Sequence, residues 1–304
     1  VHPLCLGGNV FGWSADEDAS HAVLDAYVAA GGNFIDTANN YSGWVPGNRG
    51  GESESVLGRW IAARGGHDDL VLATKVGMAA GEMPKGLTRD HIRRGIEGSL
   101  ARLGVDRVDL YYAHEDDEGT PLAETVAAFD ELVREGLVGA VGASNYSAPR
   151  LAEALRVADE GGLARFAVLQ PHLNLIDRDG FDAALAGVCR DGGLAVAPYF
   201  GLARGYLAGK YRPGAAVPDT PRAAGVLRDY STPRAAAVLA AVDEVAAAHD
   251  ATPAQVSLAW LMAVEGVAAA LASATRPEQV RELVGAADLA LSDGEVAALT
   301  AAGA

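Results

Sequence analysis

The sequence predicts a closed (β/α)8 barrel, the TIM-barrel architecture of the α/β class, as a single domain over residues 1–304. Eight short strand patterns alternate with helix patterns from end to end, which implies parallel pairing through right-handed crossovers. No Pro/Ser-rich linker and no low-complexity block beyond alanine-rich helices divides them. The polar residues that interrupt the strand patterns fall at strand C-terminal ends, where a barrel gathers its functional side chains. A doubly wound sheet is the alternative. No G-x-G-x-x-G follows a strand and no Walker loop is present, which weighs against it.

In chain order, Leu4–Leu6 is a short apolar strand before Gly7-Gly8, and residues 18–30 carry apolar residues at helical spacing up to the C-cap glycines Gly31-Gly32. Residues 33–36 form a strand ending in Asp36, with Tyr41 five residues on. A helix over 52–63 and the strand LVLATKV, residues 70–76, follow; Lys75 breaks this apolar run. Local conflicts of that kind tend to mark function. Helices are expected over 88–103, with Thr88 as N-cap, over 121–134, over 148–160 and over 180–190. Between them lie strands 107–114, 137–142, 166–169 and 194–197. A loop over 201–233, helices 234–249 and 253–264, strand 267–271 and helices 277–287 and 293–302 complete the chain.

Half the residues are hydrophobic and 21% charged, enough for a large core. No apolar run reaches the length of a membrane span. The opening VHPLCLGGNVFG lacks a basic n-region and a long apolar core, so no signal peptide is expected, and without an initiator Met the natural start is left open. Cys5 and Cys189 make neither a disulfide framework nor a metal site. They read as buried hydrophobes in a reducing, cytoplasmic compartment. A net charge of −16 opposes nucleic acid and anionic membranes as partners. Residues 201–235 run against that trend, with Arg204, Lys210, Arg212, Arg222, Arg228 and Arg234 against Asp219 and Asp229. Such an excess suits an anionic ligand, or is ordinary solvated loop charge.

Asp36, Lys75, His114, Ser144-Asn145, Gln170, Tyr199 and Ser273 all lie at or just past a strand end. Packing alone does not call for this. The stretches FIDTANNY, LATKVG, DLYYAHEDD, VGASNYS, LQPHLNL, APYFGLARGYLAGKY and SATRPEQVREL appear in an order that resembles the aldo-keto reductase family over essentially the whole chain. The resemblance implies a (β/α)8 barrel and NAD(P)H-dependent carbonyl reduction of an aldehyde, ketone or keto-sugar, with NADPH preferred.

The same resemblance implies Asp36, Tyr41, Lys75 and His114 as a catalytic tetrad. The chemistry is coherent. Reducing a carbonyl leaves charge on oxygen, which needs a positioned proton donor. A free phenol, pKa ~10, is a weak acid near neutrality, and an adjacent Lys75 ammonium is expected to lower Tyr41. Asp36 would hold Lys75, and His114 would orient the carbonyl. The structural alternatives are a buried Lys75–Asp36 ion pair and a core histidine.

For the cofactor, the resemblance implies Ser144, Asn145 and Gln170 at the nicotinamide carboxamide and Tyr199 stacked on the ring. Leu202, Arg204, Gly205 and Lys210 would follow the pyrophosphate, and Ser273, Arg276 and Gln279 the adenosine end. Helices 277–302 and loop 201–233 would complete this site. The chain departs from the family at Phe200-Gly201, usually Ser-Pro, at Leu283, often Asn, and at Leu173, commonly Tyr. Trp13, Trp44 and Phe11 could wall a substrate pocket or pack the barrel rim. Asp116 and Asp117 would disfavour anionic substrates if they face it. A second class stays open: a nucleotide-binding regulatory subunit with slow turnover.

Overall fold

The computed structural model describes residues 1–212, 214 and 216–303. The strands are β1 (Leu4–Gly7), β2 (Phe34–Asp36), β3 (Val71–Val76), β4 (Val108–Ala113), β5 (Val138–Ser144), β6 (Phe166–Gln170), β7 (Ala195–Val196) and β8 (Ala270–Ala272). Between them come α1 (Glu17–Ala29), α2 (Glu52–Arg64), α3 (Arg89–Leu103), α4 (Leu122–Arg134), α5 (Ala148–Gly161) and α6 (Ala183–Gly192). After β7 the chain forms α7 (Ala223–Tyr230), α8 (Pro233–Ala248) and α9 (Pro253–Met262), and after β8 it ends in α10 (Pro277–Val284) and α11 (Asp293–Ala302).

The strands pair in parallel in the order β7-β6-β5-β4-β3-β2-β1-β8. The approach to β8 returns to β7: Val267 bridges Val196, Ala268 N donates to Val196 O at 2.9 Å and Leu271 N to Pro198 O at 3.0 Å. The (β/α)8 barrel expected from the alternation is thereby formed.

Local signals act where they stand in the sequence. The Thr88 hydroxyl caps α3 by accepting from His91 N, and Gly104 ends that helix at φ 67°. Gly32 is required by packing, because a Cβ there would lie 2.2 Å from the Tyr27 ring.

Three boundaries differ from expectation. The 180–190 helix is a 3₁₀ turn, Asp179–Phe181, followed by α6 capped by Asp182. β8 starts later than 267, since residues 266–268 serve the β7 junction. The expected loop 201–233 contains α7 and a 3₁₀ segment, Ala203–Ala208.

Period-two alternation sorts each strand. One buried cluster, with Cys5, Phe34, Ala73, Tyr112, Ala197 and Leu271 among its members, fills the barrel interior; the larger one packs strands against helices. The next inward position after Phe34 is Asp36, after Ala73 Lys75, after Tyr112 His114, after Ala197 Tyr199, and after Leu271 Ser273. The barrel pleat thus delivers these polar side chains to one end.

Candidate active site

A cavity of about 820 Å³ opens at the strand C-terminal ends, within the usual range for small-molecule and cofactor sites. Asp36, Tyr41 and His114 line it, while Lys75 lies fully buried behind them. The Lys75 ammonium has three donors and three acceptors: Asp36 Oδ2 at 2.5 Å, Thr37 O at 2.8 Å and Tyr41 Oη at 2.8 Å. Asp36 is held from its other side as well, because Gln170 Nε2 donates to Oδ1 at 2.9 Å.

The expectation that Lys75 lowers Tyr41 is corrected. Burial of the hydroxyl, then the Asp36 carboxylate, push the Tyr41 pKa well above the ordinary phenol value. Desolvation likewise lowers Lys75, against the pull of Asp36. His114 is held well below the usual imidazole value, by burial first and the Lys75 ammonium second, so it is neutral near pH 7. Its Nδ1 is buried without a partner among the described residues, and a proton carried on Nε2 would give the ring a donor toward the cavity.

All the residues expected around the cofactor line this cavity: Ser144, Asn145, Gln170 and Tyr199 in one group, Leu202, Arg204, Gly205 and Lys210 in a second, and Ser273, Arg276 and Gln279 in a third. Asn145 Nδ2 donates to His114 O at 2.9 Å and to Ser144 Oγ at 3.1 Å, and its Oδ1 accepts from the Tyr199 hydroxyl at 2.8 Å. Ser273 donates to Asn9 Oδ1 at 2.6 Å. Gln279 Oε1 accepts from Thr275 N at 2.9 Å and Thr275 Oγ1 at 3.1 Å, which orders the turn carrying Arg276. The loop after Tyr199 holds Phe200, Ala203, Arg204 and Gly205 at positive φ. Only Gly205 does so without steric cost, so this loop stores backbone strain beside the cavity.

The positive excess of 201–235 is partly neutralised. Arg204 pairs with Asp229 at 2.8 Å, Arg228 with the same carboxylate at 2.7 Å, and Arg212 with Asp243 at 2.6 Å. Lys210, Arg222 and Arg276 line the cavity with no ion pair or side-chain hydrogen bond among the described residues. Burial lowers Lys210, Glu282 opposes that, and Arg276 and Arg222 lower it further. Crowded cations that no carboxylate pairs with among the described residues fit the phosphates of a dinucleotide. Arg222 was singled out only as loop charge; its place over the cavity depends on α7, which its short pattern did not reveal.

Trp44 lines the cavity at 49% exposure, with its ring edge-on to Tyr41 at 6.2 Å. Trp13 stands behind it, 5.5 Å from Trp44 and beneath the Arg222 guanidinium at 4.9 Å. Phe11 is no wall residue: it is fully buried in the core. Asp116 and Asp117 are also turned from the cavity. Asp116 accepts from Arg150 at 2.6 and 2.9 Å, and Asp117 from Leu87 N at 2.8 Å and Thr120 Oγ1 at 2.6 Å. Leu283 is buried core rather than a cavity residue, and so is Leu173. Phe200 joins the aromatic cluster of Tyr199 and His172. Gly201 leaves no room for a Cβ, which would lie 2.9 Å from Leu261. Asn9, Asn40 and Met78 also line the cavity and carried no sequence signal.

The aldo-keto reductase str7 of Strobilurus tenacellus is 34% identical over 295 residues, 95% of this chain and 82% of that protein. Norsolorinic acid reductase stcV of Emericella nidulans is 37% identical over 220 residues, 67% of this chain and 55% of that protein. A probable voltage-gated potassium channel subunit beta of Arabidopsis thaliana is 32% identical over 302 residues, 95% of this chain and 88% of that protein. The model of the aldo/keto reductase family matches residues 3–304, and the chain belongs to that family.

Proposed function

We propose that this protein reduces the carbonyl group of an aldehyde, ketone or keto-sugar to an alcohol with NADPH, and that Tyr41 is the proton donor. The observation that carries this is the saturation of Lys75. Its three protons point at Asp36, Thr37 O and Tyr41 Oη. Tyr41 oxygen is therefore an acceptor toward Lys75, and its own hydrogen is available to the cavity, the Asp36 contact at 3.3 Å being long. The chemistry the nucleotide supplies when bound is a hydride for the carbonyl carbon. Tyr41 gives its proton to the carbonyl oxygen as charge develops there, and the Lys75 ammonium stabilises the phenolate left behind. His114 Nε2–H donates to the same oxygen and fixes its direction. A proton from solvent in the cavity restores Tyr41.

The residues present fit the nucleotide. Gln170 has committed its amide donor to Asp36, and Asn145 has committed both of its own. What they offer a carboxamide is acceptors, suited to its NH2. Lys210, Arg222 and Arg276 offer donors to phosphates. In this reading segment 201–233 and the C-terminal helices complete the nucleotide site within one domain, Trp44 carries the apolar face of the substrate, and Trp13 supports Trp44 from behind. The unpaired, buried Cys5 and Cys189 support a cytoplasmic setting.

The channel-subunit relative favours a second reading, a regulatory subunit that holds the nucleotide and turns over slowly. Steady-state NADPH oxidation against a panel of aldehydes, ketones and keto-sugars tests both. Sustained turnover supports the reductase. A single stoichiometric burst supports the regulatory subunit, and no oxidation with any carbonyl sinks the first reading.

A further inference from the structure

Behind Tyr199, away from the cavity, stands a chain of contacts that the reduction chemistry does not use. The His172 imidazole stacks on the Tyr199 ring with centroids 5.3 Å apart and 14° between planes. Phe200 packs edge-on against both rings, at 5.5 Å from His172 and 5.1 Å from Tyr199. His172 Nε2 lies 3.3 Å from Asp177 Oδ2. The same carboxylate oxygen accepts from Asn174 Nδ2 at 3.0 Å and from the Tyr230 hydroxyl at 2.6 Å. Burial works against the Asp177 carboxylate, but bonds from His172, Tyr230 and Asn174 outweigh it and hold its pKa well below the usual range. Asp177 is a firm anionic acceptor.

Tyr230 is the last residue of α7, and its ring stacks on Tyr206 at 5.5 Å. Asp229, beside it, takes the ion pair from Arg204. Pro218 to Arg222, immediately before α7, line the cavity. The aromatic shelf and the segment covering the cavity are therefore joined through two side chains, His172 and Asp177, that do not themselves line it.

We propose that His172 is a positioning residue that backs the Tyr199 ring and ties it, through Asp177 and Tyr230, to the segment over the cavity, so that ring stacking and closure over the phosphates occur as one event. This rests on the reading that the nicotinamide ring lies on Tyr199. Removing one aromatic partner of a stacked pair, or one bond of the chain, loosens both ends together. The affected step is nucleotide release rather than proton transfer.

The test is the NADPH dissociation rate, followed by stopped-flow nucleotide fluorescence in the full-length protein. His172→Ala and the milder Tyr230→Phe, which removes only a hydroxyl, should each speed release about threefold to tenfold. The double variant should release no faster than the faster single one, because both changes break the same chain. Single-turnover reduction with nucleotide already bound should move by less than about twofold, whereas general structural damage would slow it too. Singles that multiply in the double variant overturn the coupling. So does unchanged release in Tyr230→Phe and His172→Ala. Tyr199→Ala separates the two readings. If it speeds release while the His172 and Tyr230 changes are silent, this inference alone fails. If Tyr199→Ala is itself silent, the shelf reading fails and takes the inference with it.

Discussion

The Lys75 ammonium donates to the Tyr41 phenol oxygen at 2.8 Å while lying wholly out of contact with solvent. A buried cation that presents its last proton to a phenol cannot take the proton that, on the proposed chemistry, the phenol gives. It leaves that hydrogen for the cavity. Tyr41→Phe should therefore lower kcat at least ~100-fold, the range for losing a general acid. NADPH affinity, measured by fluorescence titration, should hardly change. Near-normal turnover would remove the phenol from the reaction.

Lys75 also has a structural role that its removal should expose. Lys75→Met leaves Asp36 buried with Gln170 as its one close donor, the Tyr41 hydroxyl standing at the longer 3.3 Å. Breaking a buried pair from one side costs about 3–5 kcal/mol, readable by urea unfolding. Adding Asp36→Asn to Lys75→Met should recover part of that loss. Residual reduction should keep its alkaline limb above the ordinary phenol pKa of ~10 and move it higher still, since Asp36 then acts on Tyr41 unopposed. An unshifted limb would separate the ion pair from the chemistry.

The site was legible in the sequence to the extent that it follows from alternation. Asp36, Lys75, His114, Gln170, Tyr199 and Ser273 are each the next inward residue of a strand, so a period of two placed them without knowledge of distances. The direction of the Tyr41 shift was not legible. Proximity to Lys75 argues for a lower pKa and burial for a higher one, and burial prevails with the Asp36 carboxylate beside the hydroxyl adding to it. The placing of Phe11 and Asp116 stayed open for a related reason. Whether a loop side chain faces a cavity depends on partners far along the chain, such as Arg150 for Asp116. The contacts of His172 with Asp177 arise from a loop turn built on Asn174, whose Oδ1 accepts from Ile176 N and Asp177 N, both at 2.8 Å, and no periodicity records it.

His114 should couple folding to pH. In the unfolded chain its imidazole titrates near ~6.5, whereas in the fold burial and Lys75 hold it well below that. Below the unfolded value the unfolded chain binds the proton and the folded one does not. The stability from His114 is thus complete above ~6.5 and lost as pH falls toward the folded value. Between about pH 7 and pH 5 the melting temperature should fall more steeply for the parent than for His114→Gln. Parallel curves would show that the ring is not held neutral.

Cofactor preference should rest on Arg276. Its guanidinium lines the cavity, free of side-chain partners among the described residues, on a turn ordered by Thr275 and Gln279. A charge-assisted bond of ~1.5–3 kcal/mol corresponds to roughly tenfold to hundredfold in affinity. Arg276→Ala should weaken NADPH by about that factor and NADH by less than about twofold. Equal weakening of both, in parallel titrations, would place the 2′-phosphate elsewhere.

Asp36 is bound on one side by Lys75 of the neighbouring strand and on the other by Gln170, 134 residues further along the chain. Neither half of the barrel holds all three. A partly assembled chain, with β1 to β4 formed and β6 not yet docked, would carry this charged pair beside water and short of a partner. On the proposed chemistry, the buried charged pair would be complete only once β6 has docked. Fragments that lack β6 should then be inert toward carbonyl compounds, and the Gln170–Asp36 bond would report that β6 has taken its place across the interior from β2.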